Sequence, residues 1–93
     1  QIETMNIEVL FFGKLRELTA VNRRAVVVKD DGKLADLLER LNEEYGADFR
    51  HQINSIQGLR ILINGREYTQ LGGKDTPLKD GDTVVLLPPI FGG

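Results

Sequence analysis

The chain predicts an α+β fold, a two-layer sandwich in which a mixed sheet packs on one main helix. Three observations lead there. Residues 5–12 (MNIEVLFF) alternate as a strand, with Ile7, Val9 and Phe11 on one face and Asn6, Glu8, Leu10 and Phe12 on the other. Residues 33–45 carry Leu34, Leu37, Leu38, Leu41 and Tyr45 at spacings of three and four, the stripe of a helix with one buried side. Residues 59–69 read as two short strands joined by Asn64-Gly65, a strong hairpin turn, and residues 83–87 as a closing strand. A helix placed between an early strand pair and later strands must cover one face of their common sheet.

The elements follow in order. Gly13 ends the first strand, and Lys14 to Leu18 reads as one short helical turn because Thr19 to Asn22 offers little to extend it. A second strand runs from Arg24 to Lys29, close enough in sequence to pair antiparallel with the first. In Asp30-Asp31-Gly32 the better helix cap is Asp31. The helix runs from about Lys33 to Tyr45, Asp36 and Arg40 are spaced to pair along its wet side, and Gly46 supplies the left-handed residue that ends it.

Ala47 to Gly58 reads as a loop whose Phe49, Ile53 and Ile56 rest against the domain. The single His51 lies in it with no second histidine or cysteine to make a metal site, and is read as solvated. Leu71 to Asp75 lacks the spacing of a phosphate loop and is a surface segment. Thr76 to Asp82 is a turn with Leu78 buried, and Thr83 to Leu87 is placed centrally, parallel to the first strand.

Composition narrows the function classes. With 93 residues the expectation is one domain: residues 1–4 as an N-terminal extension before Met5, 5–88 as the folded unit and 89–93 as a flexible tail. A net charge of −2 with interspersed signs leaves no basic stripe, so neither nucleic acid nor an anionic membrane is an expected partner. No segment reads as a membrane span or a secretory signal, and a cytoplasmic location is the default expectation. The chain has no cysteine, which excludes disulfides, thiolate metal sites and a cysteine nucleophile. No paired acid and base and no nucleophile constellation suggests an enzyme.

The end of the sequence, Pro88-Pro89-Ile90-Phe91-Gly92-Gly93, is its most distinctive chemistry. Two prolines remove two backbone donors, so the strand before them must stop pairing. Six extended residues reach roughly 20 Å, enough to thread a partner's site while the domain docks outside. Gly92 and Gly93 carry no Cβ and can pass a narrow channel, bringing the carboxylate of Gly93 close to another backbone. Ile90 and Phe91 are large apolar residues with no obvious place to bury in a small domain, which suits them to anchoring in a partner.

Three stretches carry a family resemblance: residues 9–18 (VLFFGKLREL), Leu62-Ile63-Asn64-Gly65, and Asp80-Gly81-Asp82-Thr83-Val84 running on to Pro88-Pro89 and Gly92-Gly93. Together they span nearly the whole chain from Met5. In this order the chain resembles the β-grasp, ubiquitin-like sulfur carriers, namely the small subunit of molybdopterin synthase and the archaeal small modifier proteins. The resemblance implies that a separate activating enzyme uses ATP to adenylate the carboxylate of Gly93, which then becomes a thiocarboxylate. It further implies that the tail delivers sulfur to a pterin precursor inside the larger synthase subunit, the chain being a co-substrate with no bound cofactor. The alternative it implies is a protein modifier joined through Gly93 to substrate lysines. Two positions depart from the family pattern. Phe91 stands where a small residue is usual and calls for a wider channel or a different partner, and Lys33 stands where a threonine cap is common.

Alternation along the closing strand sends Val84 and Leu86 to the helix and leaves Val85 and Leu87 outside with Leu10 and Phe12. Four large apolar residues on one sheet surface are expected to form a docking face for the activating enzyme and the synthase large subunit, continued by Pro88, Pro89, Ile90 and Phe91. Two competing arrangements would remove that face: the segment from Ala47 to Gly58 lying over it, or a register one residue off, which would exchange the two sides. A plain interaction module whose tail is never activated is the third functional class.

Overall fold

A computed structural model of the chain describes residues 3–55 and 57–89. Strand β1 (Thr4–Phe11) buries Met5, Ile7, Val9 and Phe11, each second residue as its alternation requires. Strand β2 (Arg23–Lys29) pairs antiparallel with it and turns Val26 and Val28 inward. Between them the expected single turn is a full helix, α1 (Gly13–Thr19). Tertiary burial extends it: Leu15 is fully buried, Thr19 packs one turn later, and Ala20 closes the helix at a left-handed φ of 64°.

The main helix, α2 (Leu34–Tyr45), buries Leu34, Leu37, Leu38 and Leu41 as its stripe anticipates. Its start differs from expectation. Asp31 sits at φ 71°, in the turn and not at the cap. The cap position is Lys33, whose backbone N–H donates to Asp36 Oδ2 at 2.8 Å. Asp36 thus turns its carboxylate back to the helix start, where it meets an otherwise orphaned donor, and makes no ion pair with Arg40 among the described residues. At the other end Gly46 closes the helix at a positive φ of 88°, as expected, but with ψ at −164° it is extended and not the left-handed helical cap, and its N–H donates to the carbonyl of Asn42.

The segment read as a loop is instead helix α3 (Ala47–Ser55). Phe49 and Ile53, one turn apart, are its buried side. Phe49 meets Phe11 edge-on at 6.1 Å between ring centroids and Tyr45 at 5.4 Å, so an aromatic cluster ties α3 to β1 and α2. Ile56 lies outside the described residues. Strand β3 (Arg60–Ile63) starts one residue later than expected and turns through Asn64 and Gly65, whose φ values of 51° and 84° are those of a type I′ turn. Strand β4 is only Arg66–Glu67, because Tyr68–Gln70 winds into a 3₁₀ turn where the strand was expected to continue. Gly73–Asp75 forms a second such turn.

Strand β5 (Thr83–Leu87) takes the central place, parallel to β1 and antiparallel to β3, in the order β2-β1-β5-β3-β4. The motif Asp80-Gly81-Asp82 seats it there. Asn6 donates its N–H to Asp80 Oδ1 at 2.7 Å, Gly81 donates to the carbonyl of Asn6 at 2.9 Å, and Glu8 donates to the carbonyl of Asp82 at 2.9 Å. On the other side the Asn64 side chain bridges Asp82 Oδ1 and the N–H of Thr83, both at 2.9 Å. The sheet with its helices on one face is the β-grasp that the resemblance implied.

Candidate docking face and tail root

Helices α2 and α3 cover one face of the sheet, and nothing among the described residues covers the other. Val84 and Leu86 are fully buried on the inner side, which settles the register as the alternation had it. Val85 and Leu87 point outward and are half-buried. Leu10 stands beside Val85 across the parallel pair, and Leu62 of β3 stands beside Val85 across the antiparallel one, so three strands contribute one apolar row. Phe12, just past β1, is 39% exposed. Helix α3 does not lie over this row, since its Phe49 and Ile53 are buried in the inner core.

Leu62 belongs to this face, although from the sequence it was placed only within the hairpin motif and not on the outer side. The signal was available: Ile61 and Ile63 are the inward residues of a short strand, which leaves Leu62 facing outward by simple alternation. Charged pairs flank the row on both sides. Arg23 of β2 meets Glu8 of β1 at 2.8 Å, and Arg60 of β3 meets Glu67 of β4. These pairs are solvent-exposed and add little stability. With the row they form an apolar centre bordered by a polar rim.

The tail starts at the edge of this face. Leu87, opposite Arg60, is the last paired residue of β5, and pairing ends where Pro88 removes a donor. The prolines end the strand without leaving the domain. Both are half-buried. Pro88 lies over Gly13 at the start of α1, and Pro89, expected as the first residue of the free tail, lies over Gly58 in the turn before β3. Ile90, Phe91, Gly92 and Gly93, the anchoring and chemical residues expected from the sequence, lie outside the described residues.

Elsewhere the described residues hold no group of three or more His, Asp and Glu disposed to bind a metal ion. His51 is exposed on α3, with Ser55 Oγ 3.3 Å from its Nδ1. No helix among the described residues is long and apolar enough to cross a membrane.

Comparison with known proteins places this geometry. The chain is 35% identical over 92 residues to small archaeal modifier protein 3 of Haloferax volcanii, covering 96% of this chain and all of that one. It is 33% identical over 89 residues to the molybdopterin synthase sulfur carrier subunit of Chlamydomonas reinhardtii, again 96% of this chain and all of the other. Among solved structures, a chain in the complex of subunits 1 and 2 of the molybdopterin-converting factor from Helicobacter pylori superposes with a TM-score of 0.57 at 30% identity, covering 96% of this chain and 100% of that one. The family model described as the ThiS family matches residues 9–93, from the middle of β1 to the diglycine, and the chain belongs to that family.

Proposed function

We propose that this chain is a sulfur carrier for molybdopterin synthesis, with the carboxylate of Gly93 as its reactive group. The observation that carries the reading is the match to a molybdopterin synthase sulfur carrier subunit across 96% of this chain. A carboxylate is a poor electrophile. Its attack on the α-phosphorus of ATP, in the active site of a separate activating enzyme, releases pyrophosphate and gives an acyl adenylate. Sulfur at the sulfide level then attacks the acyl carbon: the C–S bond forms as the C–O bond to AMP breaks, AMP leaves, and a thiocarboxylate remains on Gly93. The sulfur comes from outside, because this chain has no cysteine. The carrier binds no cofactor of its own and is a co-substrate of the synthase large subunit.

The outer face supports the same reading. Leu10, Phe12, Leu62, Val85 and Leu87 dock on the activating enzyme and on the synthase large subunit in turn, and Ile90 and Phe91 anchor the tail in the partner's channel. Incubation of the full chain with ATP, an activating enzyme and a sulfur source exchanges one terminal oxygen for sulfur, read as an intact-mass increase. Absence of that increase with an activating enzyme shown to be active on another carrier overturns the proposal.

The likeness to a small archaeal modifier protein supports a second use of the same adenylate, attack by a substrate lysine amine. Its signature is adducts that survive denaturation and disappear when Gly92 and Gly93 are deleted.

A further inference from the structure

Two bare turns from distant parts of the chain meet the root of the tail. A Cβ built on Gly13 would lie 3.5 Å from Cγ of Pro88, and one built on Gly58 would lie 3.7 Å from Cγ of Pro89. Gly13 and Gly58 hold φ values of 57° and 79°, the left-handed region that glycine enters at least cost. Gly13 opens α1, and Gly58 lies between α3 and β3, so the seat exists only when both helices are in place. Neither glycine is needed to bring the strands together: the β1–β5 and β3–β5 registers close upstream of both prolines.

We infer that Gly58, with Gly13 beside it, is a positioning residue for the tail: it seats Pro89, so that the reactive end leaves the domain from a fixed point and in a fixed direction. This inference rests on the sulfur-carrier reading. Each proline ring locks its own φ, so two in succession form a stiff segment with few ways to bend. With the second ring seated, the last anchored residue is Pro89 and not Leu87. Four residues then remain to reach the partner's reacting atoms, a span of roughly 13 Å when extended. A root freed back to Leu87 spreads the carboxylate through a larger volume, and the released residues must be ordered again each time the tail enters a channel. That cost falls on productive encounter, not on the chemical step.

The test separates the seat from the rest of the chemistry. In the wild-type full chain, nuclear Overhauser contacts are expected between the α-protons of Gly58 and the ring of Pro89; their absence overturns the inference whatever the chain's function. With the activating enzyme, Pro89→Ala, which loses the ring, is expected to raise KM for the carrier about fivefold with kcat unchanged. Gly58→Asn tolerates the left-handed backbone but extends a side chain toward the Pro89 ring, and is expected to raise KM similarly. Gly81→Asn is the control, at a φ of 87° with no atom within 4 Å of the added Cβ, and leaves KM unchanged. The double variant Gly58→Asn with Pro89→Ala is expected to be no worse than the worse single, because both remove one contact. An unchanged KM for Pro89→Ala, or additive effects in the double variant, overturns the inference. Failure of the wild type to be thiocarboxylated at all strikes the sulfur-carrier reading and leaves the Gly58 to Pro89 contact measurable on its own.

Discussion

On the inner side of β5, Val84 and Leu86 are fully enclosed in a core shared with Leu37 and Leu41 of α2, while Val85 and Leu87, their neighbours in sequence, stand half-exposed beside Leu10 and Leu62. The residue types are the same on both sides. What differs is the second layer: α2 and α3 cover one face, and nothing among the described residues covers the other. Apolar contacts inside the two layers hold the fold, because they leave water on folding. Apolar residues on the outer face keep part of their surface in water in the isolated domain, so they contribute less to folding and leave area that a docked protein would cover.

Three substitutions test this contrast. The largest effect is expected at Leu86→Ala, where a side chain enclosed on every side is cut back: a loss of about 3 kcal/mol in urea-induced unfolding, from lost transfer energy and the cavity left behind. Leu87→Asp sharpens the comparison from the other face. It is expected to lower affinity for the activating enzyme about 30-fold, or ~2 kcal/mol by calorimetry, while the urea midpoint moves far less than for Leu86→Ala. Equal destabilisation by the two changes would break the contrast between the faces. The smallest effect is expected at the rim, where Arg23→Ala removes the exposed pair with Glu8 and costs at most about 0.5 kcal/mol of stability. Its clearer trace is a weaker salt dependence of the association rate, measured by stopped-flow mixing at several ionic strengths.

Much of the candidate site was legible in the chain because strand alternation is a local rule. Once residues 83–87 are a strand, Val84 and Leu86 share one side and Val85 and Leu87 the other. Asn64-Gly65 likewise dictates its hairpin, since both central residues of that turn need positive φ. The misses lie where local preference was weak and packing decided. The segment 47–58 contains His51, Asn54 and Ser55, poor evidence for a helix, but the aromatic cluster of Phe11, Tyr45 and Phe49 repays its formation. Asp31 had the better capping side chain by type, yet its left-handed backbone places it before the helix and leaves Asp36 to meet the free donor at Lys33.

Residue order along the chain was thus enough to establish the layers and the two faces of the central strand, because periodicity and side-chain type are properties of neighbouring residues. The seat of the tail was not. Gly13 and Gly58 are 45 positions apart, and nothing local to either shows that the folded sheet and helices bring both beneath Pro88 and Pro89. That meeting exists only in three dimensions, where β5 slides between β1 and β3 and ends against the two turns that flank it.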